Sequence, residues 1–313
     1  MSSKLVTSLR QKHLLLTFDA FGTLYTPRIS ISRTYANTAK NYGIQNVNEA
    51  ELAVSFKRAF KSASKQFPNY GKTSGLKLQE WWAYVIRDSF QPVTSKPVTD
   101  ALIHRLMKVF GCQYAYRLFH DVLPFFRYIK HMNGSAQTPE WPWKSTTVGI
   151  ISNSDYRVGG VLKSLGLKVS DIRQPESENN GSDISFVTTS YTLGIEKPNA
   201  KIFHAAHKTF SQLPSSAEIG PADVVRVHVG DDLEKDVFGA MGAGWTPIFL
   251  DRGRTKVRVG EEGGKQGNLT VSVTDPDTQE REEKEICVIE NLGELQSRLP
   301  SISSCPPHVN SSP

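Results

Sequence analysis

The sequence predicts an α/β fold: a core with a parallel β-sheet, interrupted after its first strand by an inserted α-helical cap. Two observations predict this fold. Short apolar runs that end in polar residues alternate with helical patterns in the second half of the chain, and a stretch of about 95 residues near the start is helical throughout. The chain has 313 residues, of which 38% are hydrophobic, so it has enough apolar side chains for a packed core.

Five apolar runs are predicted strands: His13–Asp19, Thr147–Asn153, Ile184–Ser190, Val225–Asp231 and Thr246–Asp251. Helical patterns lie between the later runs, at Tyr156–Leu165, Asn199–Phe210 and Lys235–Met241. Strands that alternate with helices are typical of βαβ units, which build parallel sheets. Towards the end of the chain, Ile286–Ile289 is a predicted edge strand and Leu292–Leu299 a predicted helix.

The helical stretch interrupts this alternation and divides the core into residues 13–25 and 121–299, with residues 26–120 as the cap. Four helices are predicted in it: Ser30–Tyr42, Glu49–Gln66, Leu78–Phe90 and Val98–Phe110. Asn48, with a Glu three residues later, indicates a helix N-terminus. Residues 26–120 carry 14 basic and 5 acidic residues, a net charge of +9. This charge indicates either an anionic partner or a solvated basic face.

Polar segments predict irregular structure at two further places. Residues 252–284 are rich in Gly and acidic residues, and we interpret them as a flexible loop insertion. Residues 300–313 are rich in Ser and Pro and are interpreted as a disordered tail.

Composition excludes several classes of protein. No apolar run approaches the roughly 18 residues of a membrane span, so no membrane partner is expected. The three cysteines form neither a disulfide framework nor a zinc pattern, which favours a reducing compartment and hence an intracellular location, in the cytoplasm or the nucleus. No nucleic-acid-binding signature accompanies the basic residues, so the expected partner is a small anionic substrate.

Chemistry-bearing residues follow the predicted strands. The first run ends in Phe18-Asp19-Ala20-Phe21-Gly22-Thr23-Leu24 and the second in Ile151-Ser152-Asn153. A third motif is Gly194-Ile195-Glu196-Lys197-Pro198, and a fourth is Gly230-Asp231-Asp232-Leu233-Glu234-Lys235-Asp236. Ligands of open α/β sheets lie at the carboxyl ends of the strands. A carboxylate there is a candidate metal ligand or nucleophile. Taken alone, Asp19 could instead be a structural residue that closes the strand with a turn hydrogen bond.

Together, in this order, the four motifs resemble those of the haloacid dehalogenase (HAD) superfamily, whose Rossmannoid core carries a helical cap after the first motif. The resemblance covers roughly residues 13 to 299. Two further runs, Gly75–Trp82 and Leu118–Pro124, resemble one branch of that superfamily.

The resemblance implies a role for each motif residue. Asp19 would be the nucleophile, and Mg²⁺ would be held by Asp19, the backbone carbonyl of Phe21 and Asp231. Ser152, with Asn153, would bind the oxygens of the transferring group, which makes both substrate-binding residues. Lys197 would balance the negative charge of the nucleophile and substrate. Asp236 would hold Lys197 in place, and Asp232 would support the site from outside the ligand sphere.

Phe21 departs from the phosphatase pattern of that superfamily, which has a second Asp two residues after the nucleophile. A phenyl ring cannot protonate a leaving group, and such acid–base help is typically worth about 10²–10⁴-fold in rate. The start of the chain therefore resembles the 2-haloacid dehalogenases, whereas Gly230-Asp231-Asp232 resembles the magnesium site of phosphatases. Three functions stay open: a phosphatase-type hydrolase with weakened acid–base catalysis, a dehalogenase, and a non-catalytic binding or regulatory protein.

Overall fold

A computed structural model describes residues 12–135, 138, 140–170, 181–253, 268–274 and 281–304 of the chain. The strands within these residues are β1 (His13–Phe18), β2 (Tyr25–Pro27), β3 (Tyr116–Leu118), β4 (Ser145–Ser152), β5 (Phe186–Thr189), β6 (Val224–Gly230), β7 (Thr246–Leu250), β8 (Asn268–Thr274) and β9 (Arg281–Ile289). Seven of them form one sheet in the order β5-β4-β1-β6-β7-β9-β8. All neighbours in this sheet are parallel except β8 and β9.

The α-helices among the described residues are α1 (Ile31–Lys40), α2 (Glu49–Gln66), α3 (Leu78–Phe90), α4 (Asp100–Val109), α5 (Val122–Asn133), α6 (Val158–Ser164), α7 (Ser190–Leu193), α8 (Ala200–Ser211), α9 (Gly239–Gly242) and α10 (Leu295–Arg298). A π-helical segment, Leu233–Phe238, precedes α9. The 3₁₀ helices among the described residues are Asn69–Ser74, Pro214–Ser216, Pro221–Asp223, Leu292–Glu294 and Leu299–Ser304. None of these helices is long and apolar enough to cross a bilayer.

Helices cover both faces of the sheet, as the side chains of β1 demonstrate. Leu14, Leu16 and Phe18 belong to an apolar cluster that includes side chains from α5 and α6. Leu15 points to the opposite face and belongs to a second cluster with side chains from α8. All four side chains are fully buried, as expected for a central parallel strand covered on both faces. The predicted α/β fold is confirmed.

Helices α1 to α4 pack around apolar clusters of their own. One cluster joins side chains of α1, α2, α3 and α4, and another joins α2 with α3 around the buried Trp81. Asn48 caps α2, because its side chain accepts hydrogen bonds from the backbone N–H groups of Ala50 and Glu51. The predicted cap at Asn48 is therefore confirmed. We use the term helical insert for residues 26–120.

A short antiparallel ribbon joins the two ends of the helical insert. Strand β2 pairs with β3, with Tyr25 opposite Leu118 and Pro27 opposite Tyr116. This ribbon is not predictable from the sequence pattern, because strands of three residues are too short to show a period. The chain thus enters and leaves the helical insert at neighbouring positions.

The interpretation of residues 252–284 as a loop was wrong where the structure describes them beyond 253. Strands β8 and β9 form an antiparallel hairpin there, and β9 also pairs with β7. β9 is consequently an interior strand, and β8 takes the edge that Ile286–Ile289 was expected to form. The overlooked signal is the alternation in Asn268–Thr274, in which Leu and Val side chains alternate with Thr and Ser. Residues 254–267 and 275–280 lie outside the described residues.

The tail also departs from the prediction at its start. A 3₁₀ helix continues from Leu299 to Ser304, and the partly buried Ile302 side chain packs against the main apolar cluster. This contact holds the start of the tail against the core, which Ser and Pro content alone does not predict. Residues 305–313, the rest of the predicted disordered tail, lie outside the described residues.

Candidate active site

The first candidate residue, Asp19, comes directly after β1, at the carboxyl edge of the sheet. Its backbone N–H donates a hydrogen bond to the carbonyl of Val229 on the adjacent strand β6, at 2.9 Å. The side chain is buried, with 9% of the residue exposed. Ser152 ends the neighbouring strand β4, and Asp231 follows β6, so the strand order brings these three residues to one edge of the sheet.

The turn after Asp19 requires a glycine at position 22. Gly22 has a φ of +84°, in the left-handed region. A Cβ atom on this residue would lie 2.7 Å from Oδ2 of Asp231. The turn therefore allows the Asp231 carboxylate to pack directly against the backbone that follows Asp19.

Lys197 is buried at the centre of the site. Its Nζ donates to Oδ1 of Asp19 at 2.8 Å, to Oδ1 of Asp236 at 2.6 Å and to the carbonyl of Ile151 at 2.8 Å. An ammonium group has three N–H donors, and this arrangement satisfies all of them. Burial lowers the pKa of Lys197, but the Asp19 and Asp236 carboxylates outweigh that effect and raise the pKa above its ordinary value. Lys197 is therefore a cation that joins two carboxylates.

Asn153 holds the backbone of Lys197. The Asn153 side chain donates from Nδ2 to the carbonyl of Lys197 at 2.8 Å and accepts at Oδ1 from its N–H at 2.7 Å. The family resemblance implies that Asn153 binds substrate, which stays a prediction. In the structure its side-chain amide contacts the backbone of Lys197 through both its nitrogen and its oxygen.

Asp236 is held on several sides. Besides Lys197, it accepts hydrogen bonds from Nε2 of His228 at 3.2 Å and from the backbone N–H of Asp232 at 3.0 Å. Burial opposes ionisation of Asp236, but Lys197 and His228 more than compensate, and its pKa is lowered. His228 is fully buried, and its pKa is lowered by burial and by the nearby Lys197. The ring is thus a neutral hydrogen-bonding group rather than a second cation.

Asp232 faces away from this network. Its carboxylate caps the π-helical segment by accepting from the backbone N–H of Lys235 at 3.0 Å, and it pairs with the ammonium of the same residue at 2.7 Å. Its contacts with Asp236 come from the main chain: the Asp232 N–H donates to the Asp236 carboxylate, and the Asp232 carbonyl accepts from the Asp236 N–H at 2.9 Å. The supporting role predicted for Asp232 therefore rests on its main chain.

Three carboxylates could hold a metal ion. Asp19, Asp231 and Asp236 each offer an oxygen, and these oxygens lie within 4.8 Å of one another. Hard oxygen ligands of this kind suit Mg²⁺. Asp236 already accepts hydrogen bonds at both of its oxygens, from Lys197 and His228 at one and from Asp232 at the other. Asp19 and Asp231 are therefore the better candidate ligands.

The protonation of Asp19 reflects this crowding of charge. Its pKa is raised to about 6, because burial and the Asp236 and Asp231 carboxylates together outweigh the opposing effect of Lys197. A cation bound between Asp19 and Asp231 would favour the ionised form. The donor set and its charge thus fit a divalent metal ion.

Phe21 presents its ring to the site. It is 46% exposed and makes edge-to-face contacts with the rings of Tyr25 and Tyr116, at centroid distances of 5.9 and 6.3 Å. The position two residues beyond Asp19 therefore holds an accessible aromatic ring with no proton to give.

A cavity of about 570 Å³ extends from these residues into the helical insert. Asp19, Ser152, Lys197, Asp231 and Asp236 line one end. Aliphatic, polar and charged side chains share the remaining wall with ten aromatic ones: Phe21, Tyr25, Tyr35, Phe56, Phe60, Tyr70, Trp81, Trp82, Phe110 and Tyr116. We call these ten the aromatic wall. None of the lining residues that the helical insert contributes is charged. The basic side chains of the insert are therefore not among the described residues that line the cavity.

Contacts between the core and the helical insert surround the cavity, and the sequence analysis missed them. Asp155 accepts two hydrogen bonds from the guanidinium of Arg157, at 2.9 and 2.7 Å, and one from Nε1 of Trp82 at 3.0 Å. Arg157 also donates to the carbonyl of Met107 on α4, at 3.2 Å. The two-residue spacing of Asp155 and Arg157 was the one sequence signal for their ion pair. Nothing in the sequence indicates the contact with Trp82.

A second contact comes from the turn that follows α2. Tyr70 donates from its hydroxyl to the carbonyl of Asn153 at 2.9 Å, and Asn69 donates from Nδ2 to the carbonyl of Ser190 at 2.8 Å. Both Asn69 and Tyr70 have positive φ angles, of 51° and 57°. Residues other than glycine seldom adopt this backbone conformation. We infer that the hydrogen bonds to the core stabilise it here.

Comparison with known proteins identifies relatives over most of the chain. The sequence model of the haloacid dehalogenase-like hydrolases matches residues 14–244. The uncharacterized protein YMR130W of Saccharomyces cerevisiae is 30% identical over 267 residues, which is 84% of this chain and 76% of that protein. Haloacid dehalogenase-like hydrolase domain-containing protein 3 of Homo sapiens is 28% identical over 233 residues, which is 74% of this chain and 78% of that protein.

Among solved structures, a 2-haloacid dehalogenase from Pseudomonas syringae pv. Tomato DC3000 has a similar fold. It aligns with a TM-score of 0.50 and 18% sequence identity, over 92% of this chain and 98% of that chain.

Proposed function

The chain belongs to the haloacid dehalogenase-like hydrolases, and from that premise we propose that it is a Mg²⁺-dependent phosphohydrolase acting on a small phosphorylated molecule. The observation that carries this proposal is the placement of the Asp231 carboxylate beside Asp19, with oxygens of the two within 4.8 Å. A second carboxylate next to a nucleophile repels an anionic substrate unless a cation offsets its charge. We infer that residues 26–120 act as a cap over the cavity.

Asp19, Asp231 and the backbone carbonyl of Phe21 would hold the metal ion. When bound, Mg²⁺ supplies positive charge that offsets the repulsion between the carboxylates and a phosphoryl group.

In the first step, the Asp19 carboxylate attacks phosphorus. A new O–P bond forms to Asp19, and the bond between phosphorus and the leaving oxygen breaks, with its electron pair going to that oxygen. Lys197 lies 2.8 Å from the Asp19 carboxylate and would stabilise negative charge there. Ser152 would donate its hydroxyl proton to an oxygen of the transferring phosphoryl group, as the sequence analysis expected.

In the second step, water attacks the aspartyl phosphate, which releases inorganic phosphate and restores the Asp19 carboxylate. The proton of the water passes to solvent. Phe21 can neither take that proton nor protonate the leaving oxygen in the first step. Substrates whose leaving group departs as a stable anion, such as acyl phosphates, are therefore favoured over alkyl phosphates.

A second candidate function is 2-haloacid dehalogenation, which the exposed ring of Phe21 favours. Halide leaves without a proton, so a dehalogenase needs no acid at this position. The Asp231 carboxylate argues against it, because a dehalogenase has no need for an acidic metal site beside its nucleophile.

The test is a turnover assay on the full chain with acetyl phosphate, glycerol phosphate and 2-chloropropionate, each with and without MgCl₂. We expect phosphate release from acetyl phosphate that depends on Mg²⁺, with much slower release from glycerol phosphate. Halide release without Mg²⁺ would support the dehalogenase instead. No turnover of any of the three would contradict the proposed function and leave the non-catalytic binding protein as the better reading.

A further inference from the structure

The aromatic wall and the catalytic carboxylates line the same cavity, and this arrangement bears on the identity of the substrate. The volume of about 570 Å³ lies within the range of small-molecule sites. Rings from the core and from the helical insert contribute to this wall, so it is built where the two parts meet. Aromatic side chains contact flat rings favourably through offset and edge-to-face arrangements.

The charged residues that line the cavity limit the charge that the rest of the substrate can carry. Three cations line the cavity, and each already contacts a carboxylate: Lys197 with Asp19 and Asp236, Arg157 with Asp155, and Lys235 with Asp232. The described lining residues therefore offer no uncommitted cation for a second anionic group. Glu196 adds a further carboxylate to the lining. A ligand with one phosphoryl group and no second anionic group therefore fits this distribution best.

The ring of Phe21 connects these two observations. It lies two residues beyond Asp19, is 46% exposed and lines the same cavity, so it can face the leaving group. The absence of an acid at this position favours a leaving group of low basicity. Phenols meet that requirement, since a phenolic hydroxyl has a pKa of about 10.

We propose that the substrate is an aryl monophosphate: a phosphate ester of a phenol that carries no second anionic group. The phosphoryl group lies at Asp19, and the aryl group lies between Phe21 and the rings of the helical insert, including Phe60. This inference rests on the proposed phosphohydrolase function for its chemistry, but the binding of the aryl group is testable without turnover.

The first experiment measures binding of two phosphonates, which have a P–C bond in place of the ester bond, to the full chain with MgCl₂. Calorimetry should give phenylphosphonate an affinity about 10-fold or more above that of methylphosphonate, from aromatic contact. Equal affinities, or no binding of phenylphosphonate, would overturn the substrate class. This result does not depend on whether acetyl phosphate is hydrolysed.

The second experiment locates the aryl group. Phe60→Leu should reduce the preference for phenylphosphonate about 3-fold to 10-fold, because it removes a ring from the wall but keeps an apolar side chain. Tyr114→Leu is the matched control, since Tyr114 is 68% exposed and is not among the residues that line the cavity. Thermal unfolding verifies that both variants fold. An unchanged preference in folded Phe60→Leu would overturn the placement of the aryl group.

Turnover then separates the two proposals. Faster hydrolysis of phenyl phosphate than of glycerol phosphate, with phenylphosphonate binding, supports both. Binding of phenylphosphonate without hydrolysis of any phosphate would contradict the hydrolase function while supporting the ligand class. Hydrolysis of acetyl phosphate without a preference for the phenyl group would overturn the aryl substrate and leave the hydrolase function supported.

Discussion

The side chain of Asn153 forms two hydrogen bonds with the backbone of Lys197, one to its carbonyl and one from its N–H. These bonds join the end of β4 to the loop that carries the central cation of the site. The Lys197 ammonium donates to Asp19 and Asp236 at the same time, so its backbone must be held in register with both carboxylates. Asn153 is thus a positioning residue for Lys197.

Asn153→Ala should therefore lower kcat on acetyl phosphate by about 10-fold to 100-fold. The cost in stability should be about 1–3 kcal/mol, because the N–H and the carbonyl of Lys197 lose their partner in a partly buried place. Asn153→Asp keeps the acceptor and loses the donor, and we expect an intermediate loss. Steady-state kinetics and urea unfolding give the two quantities. If kcat in folded Asn153→Ala equals that of the parent chain, the positioning role is wrong.

Asp231→Asn should weaken Mg²⁺ binding by about 10-fold or more without unfolding the protein, because it removes an anionic ligand and nearly preserves volume. Asp232→Asn is the matched control, since that carboxylate contacts Lys235 rather than the metal ligands. Calorimetric titration with MgCl₂ measures both affinities. Equal losses in the two variants would move the metal site away from Asp231.

Gly22→Ala should destabilise the fold and disturb Asp231 together. A positive φ costs an alanine about 1 kcal/mol, and the new Cβ would lie 2.7 Å from the Asp231 carboxylate. Gly43→Ala isolates the first effect, because Gly43 has a φ of +82° with no atom within 4 Å of the added Cβ. Urea unfolding and Mg²⁺ titration should yield the larger loss, and the only loss of metal affinity, in Gly22→Ala. Identical behaviour of the two variants would rule out the Asp231 contact as the reason for Gly22.

Phe21→Asp should raise turnover of glycerol phosphate by up to about 10²-fold, at the low end of general acid–base gains, because it introduces a group that can protonate an ester oxygen. The stability cost should be small compared with the roughly 3–5 kcal/mol of a fully buried Phe, since nearly half of Phe21 is exposed. Phe21→Asn is the control, because an Asn side chain has nearly the same size as Asp but cannot transfer the proton. A folded Phe21→Asp variant that binds Mg²⁺ and gains nothing over Phe21→Asn would argue against phosphoryl transfer at this site.

The sequence determined which residues meet at the candidate site, as far as they follow strands. Asp19, Ser152 and Asp231 lie at the ends of apolar runs, and neighbouring parallel strands bring such ends to one edge of the sheet. The α/β fold and the Asn48 cap were predictable for a similar reason, since both depend on local patterns of side chains.

Tertiary structure alone decided the contacts between segments far apart in the chain. The bond from Trp82 to Asp155, the hold of Asn153 on Lys197 and the aromatic wall all depend on how the helical insert and the loops pack on the core. The β8–β9 hairpin was not predicted, because the acidic residues of β9 are typical of a solvated loop. Its strand structure depends on pairing with β7 and β8. The period of apolar residues indicates which face of a helix or strand is buried. Which distant side chain it meets there depends on packing, and packing is settled only when the whole chain is folded.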